Sequence, residues 1–167
     1  MSRRRGDLAR RGLERKQLLL MDSEFSIQDQ LASALKGFKE RDYDLIFRSL
    51  EETKDELMNR CGTASEKEFV SLAFFVTAIT LADVKRVPLE ATEEFVSAAF
   101  THIASDPGLL TTSIAGYAGR CQAEGRPELG RVHLRRAVEY MDAGSHWKRL
   151  SPQAEPAIRR QLAGMER

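Results

Sequence analysis

The residues in this chain that could do chemistry are few and scattered. None of the three histidines, His102, His133 and His146, has a second His or a Cys at metal-ligand spacing, and no HExxH pattern occurs. His102 reads as a partly buried helix residue and His146 as a loop residue. Cys61 and Cys121 lie 60 positions apart, which matches neither a zinc motif nor a disulfide framework. Both read as buried small hydrophobes of a reducing compartment. Ser71 and Ser113 lack the strand–turn–helix context of a nucleophile elbow. Glu51–Glu52 and Asp55–Glu56 could do acid–base work in principle, but on an exposed helix such pairs form a solvated face. No catalytic residue, cofactor or metal site is assigned, and an enzyme is not expected.

Charge is more informative. The 167 residues carry a net charge of +1, yet residues 1–20 hold seven Arg or Lys against Asp7 and Glu14. Residues 143–167 hold five against Glu155 and Glu166, which leaves fourteen basic against twenty-one acidic residues over 21–142. An acidic body with basic ends can attract a polyanion or pair with itself. The richest apolar stretch, "FVSLAFFVTAITLADV" at 69–84, is broken by Ser71, Thr77, Thr80 and Asp83 and is too short to span a membrane. It reads as a core helix. The N-terminal stretch has no apolar h-region or cleavage site of a secretory signal, so a cytoplasmic protein is expected.

The elements that must position any site are helices, since 3.6-residue spacing dominates and alternating β-branched runs are missing. The first is expected over about 26–39, capped by Ser26 with Asp29. The second covers about 43–59, with Leu45, Ile46, Leu50 and Leu57 inward. Gly62 ends it, and Ser65 with Glu68 reads as a capping box for a third helix over about 66–85, apolar nearly all round. Pro88 suits the first turn of a fourth helix, about 88–105, burying Phe95, Val96, Ala99, Phe100 and Ile103. Asp106 can cap a fifth, about 108–123, with Leu110, Ile114, Tyr117, Ala118 and Cys121 inward. Gly125 closes it, Pro127 starts a sixth to about 142, and Ser151–Pro152 begin a last helix to about 164.

The expected architecture is therefore all-α, with three consecutive antiparallel hairpins over 26–59, 66–105 and 108–142 and a C-terminal helix. Three segments follow: a basic, flexible arm over 1–20, a hairpin domain over 21–142, and a basic loop with closing helix over 143–167.

"GRPELGRVHLRRAVEYM" at 125–141 resembles the second helix of a tetratricopeptide repeat. Gly125 takes the turn position, Gly130 the small one, Leu134 the large apolar one and Ala137 the alanine. Ala118 takes the small position of the first helix, with Ile114 and Tyr117 in neighbouring core slots. "KERDYDLIFRSLEET" repeats part of the pattern through Leu50 and Ala34, but Ile46 and Thr53 replace the small residues. The aligned turns Arg41 and Gly125 are 84 apart, about 42 per unit, against 34 for a regular array of that family. The middle hairpin fits the register poorly, so a tetratricopeptide-like array and an irregular bundle both remain open.

Three features could carry binding. The resemblance implies that the inner face of the first helix of each hairpin lines a groove for an extended peptide or partner helix, and Gln28, Leu35, Thr112, Gly119 and Gln122 map there. The Lys and Asn with which relatives clamp a terminal carboxylate are missing at these places. The second feature is the basic set Arg120, Arg126, Arg131, Arg135, Arg136, Lys148 and Arg149. Arg131 and Arg135 share a helix face, flanked by Glu128 and Glu139. The third is the Arg-rich arm, able to neutralise phosphates. The expected function is non-enzymatic binding of a peptide or partner protein, as an adaptor or chaperone-like domain. In size and layout the chain also resembles the tetratricopeptide chaperones of bacterial secretion systems. The alternative is a nucleic-acid-associated regulator using the basic ends, and self-association is a third possibility.

Overall fold

The structure, a computed structural model, describes residues 30–31, 43–144 and 154–167. All regular structure among them is helical, and no strand occurs. Six helices follow in order: α1 Tyr43–Arg60, α2 Ala64–Val84, α3 Leu89–Ala99, α4 Pro107–Ala123, α5 Pro127–Ala143 and α6 Ala154–Met165, with a 3-10 turn Phe100–His102 after α3. Residues 30–31 are helical and Leu31 is buried. The rest of the expected first helix with its Ser26–Asp29 cap, the basic arm, His146, Lys148, Arg149 and the Ser151–Pro152 start lie outside the described residues. Among the described residues no helix is long and apolar enough to cross a membrane.

The chain divides into two compact units, 1–74 and 75–167, with the boundary inside α2. In the first unit, α1 turns Ile46, Leu50 and Leu57 inward at the spacing of one helical face. Leu45, expected inward, is instead exposed. It neighbours Ile46, and successive helix residues point about 100° apart, so both cannot share a narrow stripe. Phe47 stacks on Tyr43 at 5.9 Å and meets Phe74 at 5.7 Å, with Lys54 Nζ 4.7 Å over the Phe74 ring. Cys61 is half-buried where a buried thiol was expected, and it bonds the Leu57 carbonyl.

The cap of α2 sits two residues earlier than expected. Thr63 Oγ1 accepts from Glu66 N at 3.2 Å, while Glu66 Oε2 accepts from Thr63 N at 3.2 Å and Gly62 N at 2.8 Å. This is the reciprocal box, with Glu66 rather than Glu68 at its third position.

In the second unit, two turns share one geometry. After α2, Arg86 N bonds Asp83 O and Val87 N bonds Ala82 O. After α4, Gly125 N bonds Gln122 O and Arg126 N bonds Cys121 O. Both are Schellman closures, which place one residue in the left-handed region. That residue is Gly125 (φ 77°) in one and Arg86 (φ 54°) in the other. Each is followed two residues on by a proline, Pro88 or Pro127. Pro127 is the first residue of α5, whereas Pro88 is the extended residue just before α3 (ψ 142°), one place outside the first turn expected for it.

The expected fourth helix also ends sooner, at Ala99, and continues as the short 3-10 turn. Phe95 is half-buried, while Leu89, Thr92, Val96 and Ala99 form the buried stripe of α3. Asp106 Oδ1 accepts from Leu109 N at 3.0 Å, the cap expected for α4, with Pro107 at its first position.

Of the helix pairs here, α4 and α5 pack most extensively, α6 lies against both, and α3 touches both. Leu110, Ile114, Tyr117, Ala118 and Cys121 are buried as expected, facing Leu134, Ala137 and Met141. The tightest approach is at Gly130. A methyl group there would stand 2.6 Å from Ala118 Cα and 2.9 Å from its Cβ.

Candidate functional site

The site grows from Arg120. It lies on the α4 face that packs beside the end of α2, and its side chain is only 5% exposed. Nη2 donates to Val87 O at 2.5 Å, Nη1 to Ala82 O at 3.4 Å and Nε to Glu124 Oε1 at 2.7 Å. Asp83 Oδ1 stands 3.5 Å from Nε. The C-terminal end of a helix carries partial negative charge, so a cation that bonds Ala82 O, which also accepts from Val87 N, and Val87 O in the turn fastens α4 to the end of α2. One turn earlier, Tyr117 donates its hydroxyl to Leu89 O at 3.2 Å. Burial pushes the Tyr117 phenol far above its ordinary pKa, so it stays a donor.

These two anchors hold α2, α3 and α4 around an open pocket of about 180 Å³. Its deep residues are Ile79, Thr92, Tyr117 and Arg120, all buried. Its rim is Thr80, Asp83, Thr112 and Gly116, all exposed, with Ser113 between. Gly116 leaves the mouth wide, for a Cβ there would meet nothing within 4 Å. Most of the hydroxyls are turned onto their own helices: Thr80 donates to Val76 O at 3.0 Å, Thr92 to Pro88 O at 3.2 Å and Thr112 to Gly108 O at 2.9 Å. Their oxygens keep lone pairs for an occupant.

Behind Tyr117 lies a buried histidine that the sequence reading left unplaced. His133 is 1% exposed, with Nε2 3.2 Å from Glu93 Oε1 and Nδ1 buried without a partner. The Tyr117 ring meets it edge-on at 5.8 Å and Phe100 stacks at 5.9 Å, with Arg136 4.1 Å over the far aromatic. Burial holds the imidazole below its ordinary pKa despite the opposing carboxylate of Glu93. The neutral ring with Nε2 as donor fits this geometry.

The proposed binding residues separate. Thr112 lines the pocket. Gly119 faces α6, where its Cβ would meet Gln161 Nε2 at 3.9 Å, and Gln122 is exposed outside the pocket. Gln28 and Leu35 lie outside the described residues. Arg131 and Arg135 hold the end of α6: Arg131 Nη1 donates to Met165 O at 3.2 Å, and Arg135 gives 3.1 and 2.9 Å bonds to Glu166 Oε1. Glu128, whose carboxyl feels Arg131 as expected, accepts its hydrogen bond from Arg126 at 2.5 Å, and Arg126 also reaches Glu90 at 2.8 Å. Of the lining residues only Thr112 was assigned from sequence to partner binding through the groove; Asp83, Gly116 and the buried Arg120 are among those it did not assign.

In comparisons with known protein families, curated proteins and solved structures, nothing matches this chain. The chemistry of the pocket itself must therefore carry the functional reading. Among the described residues, no group of three or more His, Cys, Asp or Glu stands together as a metal site would require.

Proposed function

We propose that this chain is a helical protein-interaction module, of adaptor or chaperone-like type, that takes a side chain of a partner polypeptide into the pocket between α2 and α4. The observation that carries the reading is the pocket itself. At about 180 Å³ it falls below the ~300–1,000 Å³ of sites for drug-sized ligands and cofactors, yet it admits one side chain. It is bounded by the helices that precede the two Schellman turns. In the tetratricopeptide family, which residues 125–141 resemble, the corresponding helices line the peptide groove. Thr112, assigned to that face from sequence, stands on the rim.

The nucleic-acid alternative rests on the basic ends, of which the arm over 1–20, Lys148 and Arg149 lie outside the described residues, and the described arginines lend it no such support. Arg120, Arg126, Arg131 and Arg135 bond groups of the chain itself, and Arg136 covers the Phe100 ring.

Gly116 supplies the test. Gly116→Phe fills the mouth from a position whose first side-chain atom meets nothing, so the fold is retained. Twelve-residue peptides selected by phage display on the full chain should bind the Gly116→Phe variant at least about tenfold more weakly, the equivalent of ~1.4 kcal/mol. Equal binding to both proteins would refute the proposal. Gly116→Ala and thermal unfolding control for folding.

A further inference from the structure

We infer that the pocket selects a lysine side chain of the partner. The inference rests on the reading of the pocket as a partner site and adds the chemistry of its occupant. It follows from an inventory of donors and acceptors. Most donors of the lining are committed within the chain. Thr80, Thr92 and Thr112 give their hydroxyl hydrogens to helix carbonyls. Tyr117 gives its own to Leu89 O, and three of the five Arg120 N–H groups are bonded, to Ala82 O, Val87 O and Glu124. Ser113 is the one lining hydroxyl without such a bond.

The acceptors are open by contrast. The Asp83 side chain is 55% exposed on the rim, and its contact with Arg120, at 3.5 Å, is an ion pair rather than a hydrogen bond. The threonine oxygens retain lone pairs. A wall of acceptors around buried Ile79 and the Tyr117 ring suits an occupant with an apolar stem and a donor tip.

Two such side chains exist, and the geometry favours lysine. A guanidinium gains most from a planar, bidentate acceptor in a roomy site, whereas an ammonium is a compact point charge with three donors and tolerates single-atom acceptors from several directions. Here Asp83 has Oδ1 turned to Arg120 at 3.5 Å, so the acceptors are single atoms, the other carboxylate oxygen and separate hydroxyl oxygens, in about 180 Å³. A carboxylate occupant would face the like charge of Asp83 on the rim.

The test uses the selected twelve-residue peptides and isothermal titration at low and high salt. Lysine should recur at one position. Its replacement by norleucine, which keeps the stem and removes the ammonium, should weaken binding about tenfold, as expected for loss of a charged hydrogen bond. Added salt should weaken the lysine peptide more than the norleucine peptide. Asp83→Asn should erase the difference between the two peptides, and Thr80→Val should reduce it. The norleucine comparison uses the natural protein alone, so it stands even if a variant folds poorly. Peptides that lose binding to Gly116→Phe yet carry no recurrent lysine, or bind equally with norleucine, would overturn the lysine assignment while leaving the partner site intact. Peptides indifferent to Gly116→Phe would overturn both.

Discussion

Alanine at Gly130 is the most direct probe of how α4 and α5 meet. Two opposing effects must be weighed. Glycine inside a helix is disfavoured against alanine by ~1 kcal/mol, so Gly130→Ala in an isolated helix would stabilise. In the folded chain the new methyl would lie 2.6 Å from Ala118 Cα, 2.9 Å from its Cβ and 3.3 Å from its carbonyl oxygen. Two of those three atoms are backbone, so no rotamer change relieves the clash and the helices must move apart. Overpacking of this kind costs ~1–3 kcal/mol, and a backbone obstacle argues for the upper end. The net expectation is a loss of about 2 kcal/mol, a fall of ~4–8 °C in Tm for a chain of this size. Gly116→Ala is the matched control. It has open space around its Cβ and should gain up to ~1 kcal/mol. Ala118→Gly added to Gly130→Ala should restore only part of the loss, because the 2.6 Å contact is to backbone. Urea and thermal unfolding followed by circular dichroism measure all four proteins. If Gly130→Ala proves as stable as the parent, the close approach and the steric reasoning built on it are wrong.

Three further outcomes can be checked by the same unfolding measurements. Arg120→Met should cost about 2 kcal/mol, since it takes the donor from Val87 O and the buried cation from Asp83 and Glu124; a loss under ~0.5 kcal/mol would show that this fastening of α4 is unimportant. Arg86→Gly should stabilise by ~0.5–1 kcal/mol, because a side chain at φ 54° is strained and its ion pair to Glu124, at 3.8 Å, is exposed. His133 should make stability fall on acidification. Its folded pKa lies below the ordinary 6.5, so the unfolded chain takes up the proton first. Its contribution is intact above about pH 6.5 and declines below it by up to ~1.4 kcal/mol per pH unit until the folded pKa is reached. Glu93 on α3 and Arg136 on α5 are the charged groups that act on it. His133→Gln should flatten the slope between pH 7 and 5, and an unchanged slope would place the titration elsewhere.

What could be read in the sequence was local. Leu110, Ile114, Tyr117 and Cys121 recur at three- and four-residue steps, and the buried face of α4 follows directly. Asp106 before Pro107 marks a helix start for reasons contained in four residues. The errors are also local, where two readings competed. Thr63–Glu66 and Ser65–Glu68 both have capping-box spacing, and the pattern alone does not separate them. The difference lies in Gly62, whose N–H also reaches Glu66 and so favours the earlier start. The turn after α2 was legible through Pro88 but not as a Schellman closure, because Arg86 occupies the position where glycine is expected.

The pocket was hidden for a different reason. Thr80, Asp83, Gly116 and Arg120 each suit an ordinary helix surface, and nothing within reach along the chain marks them as a group. Arg120 is buried because its acceptors Ala82 O and Val87 O lie 38 and 33 residues away, a relation set only by the packing of α4 beside the end of α2. Once that packing exists, Arg120 draws on Asp83 without fully occupying it, and the threonines turn their hydrogens onto their own helices. The lining is left rich in acceptors and poor in free donors. Helix-surface threonines favour this pattern because backbone carbonyls one turn back compete for their hydroxyls. The selectivity proposed for the pocket is therefore a consequence of building it from helix faces. Replacing Thr80 by valine should lower that selectivity while leaving the shape of the pocket nearly unchanged.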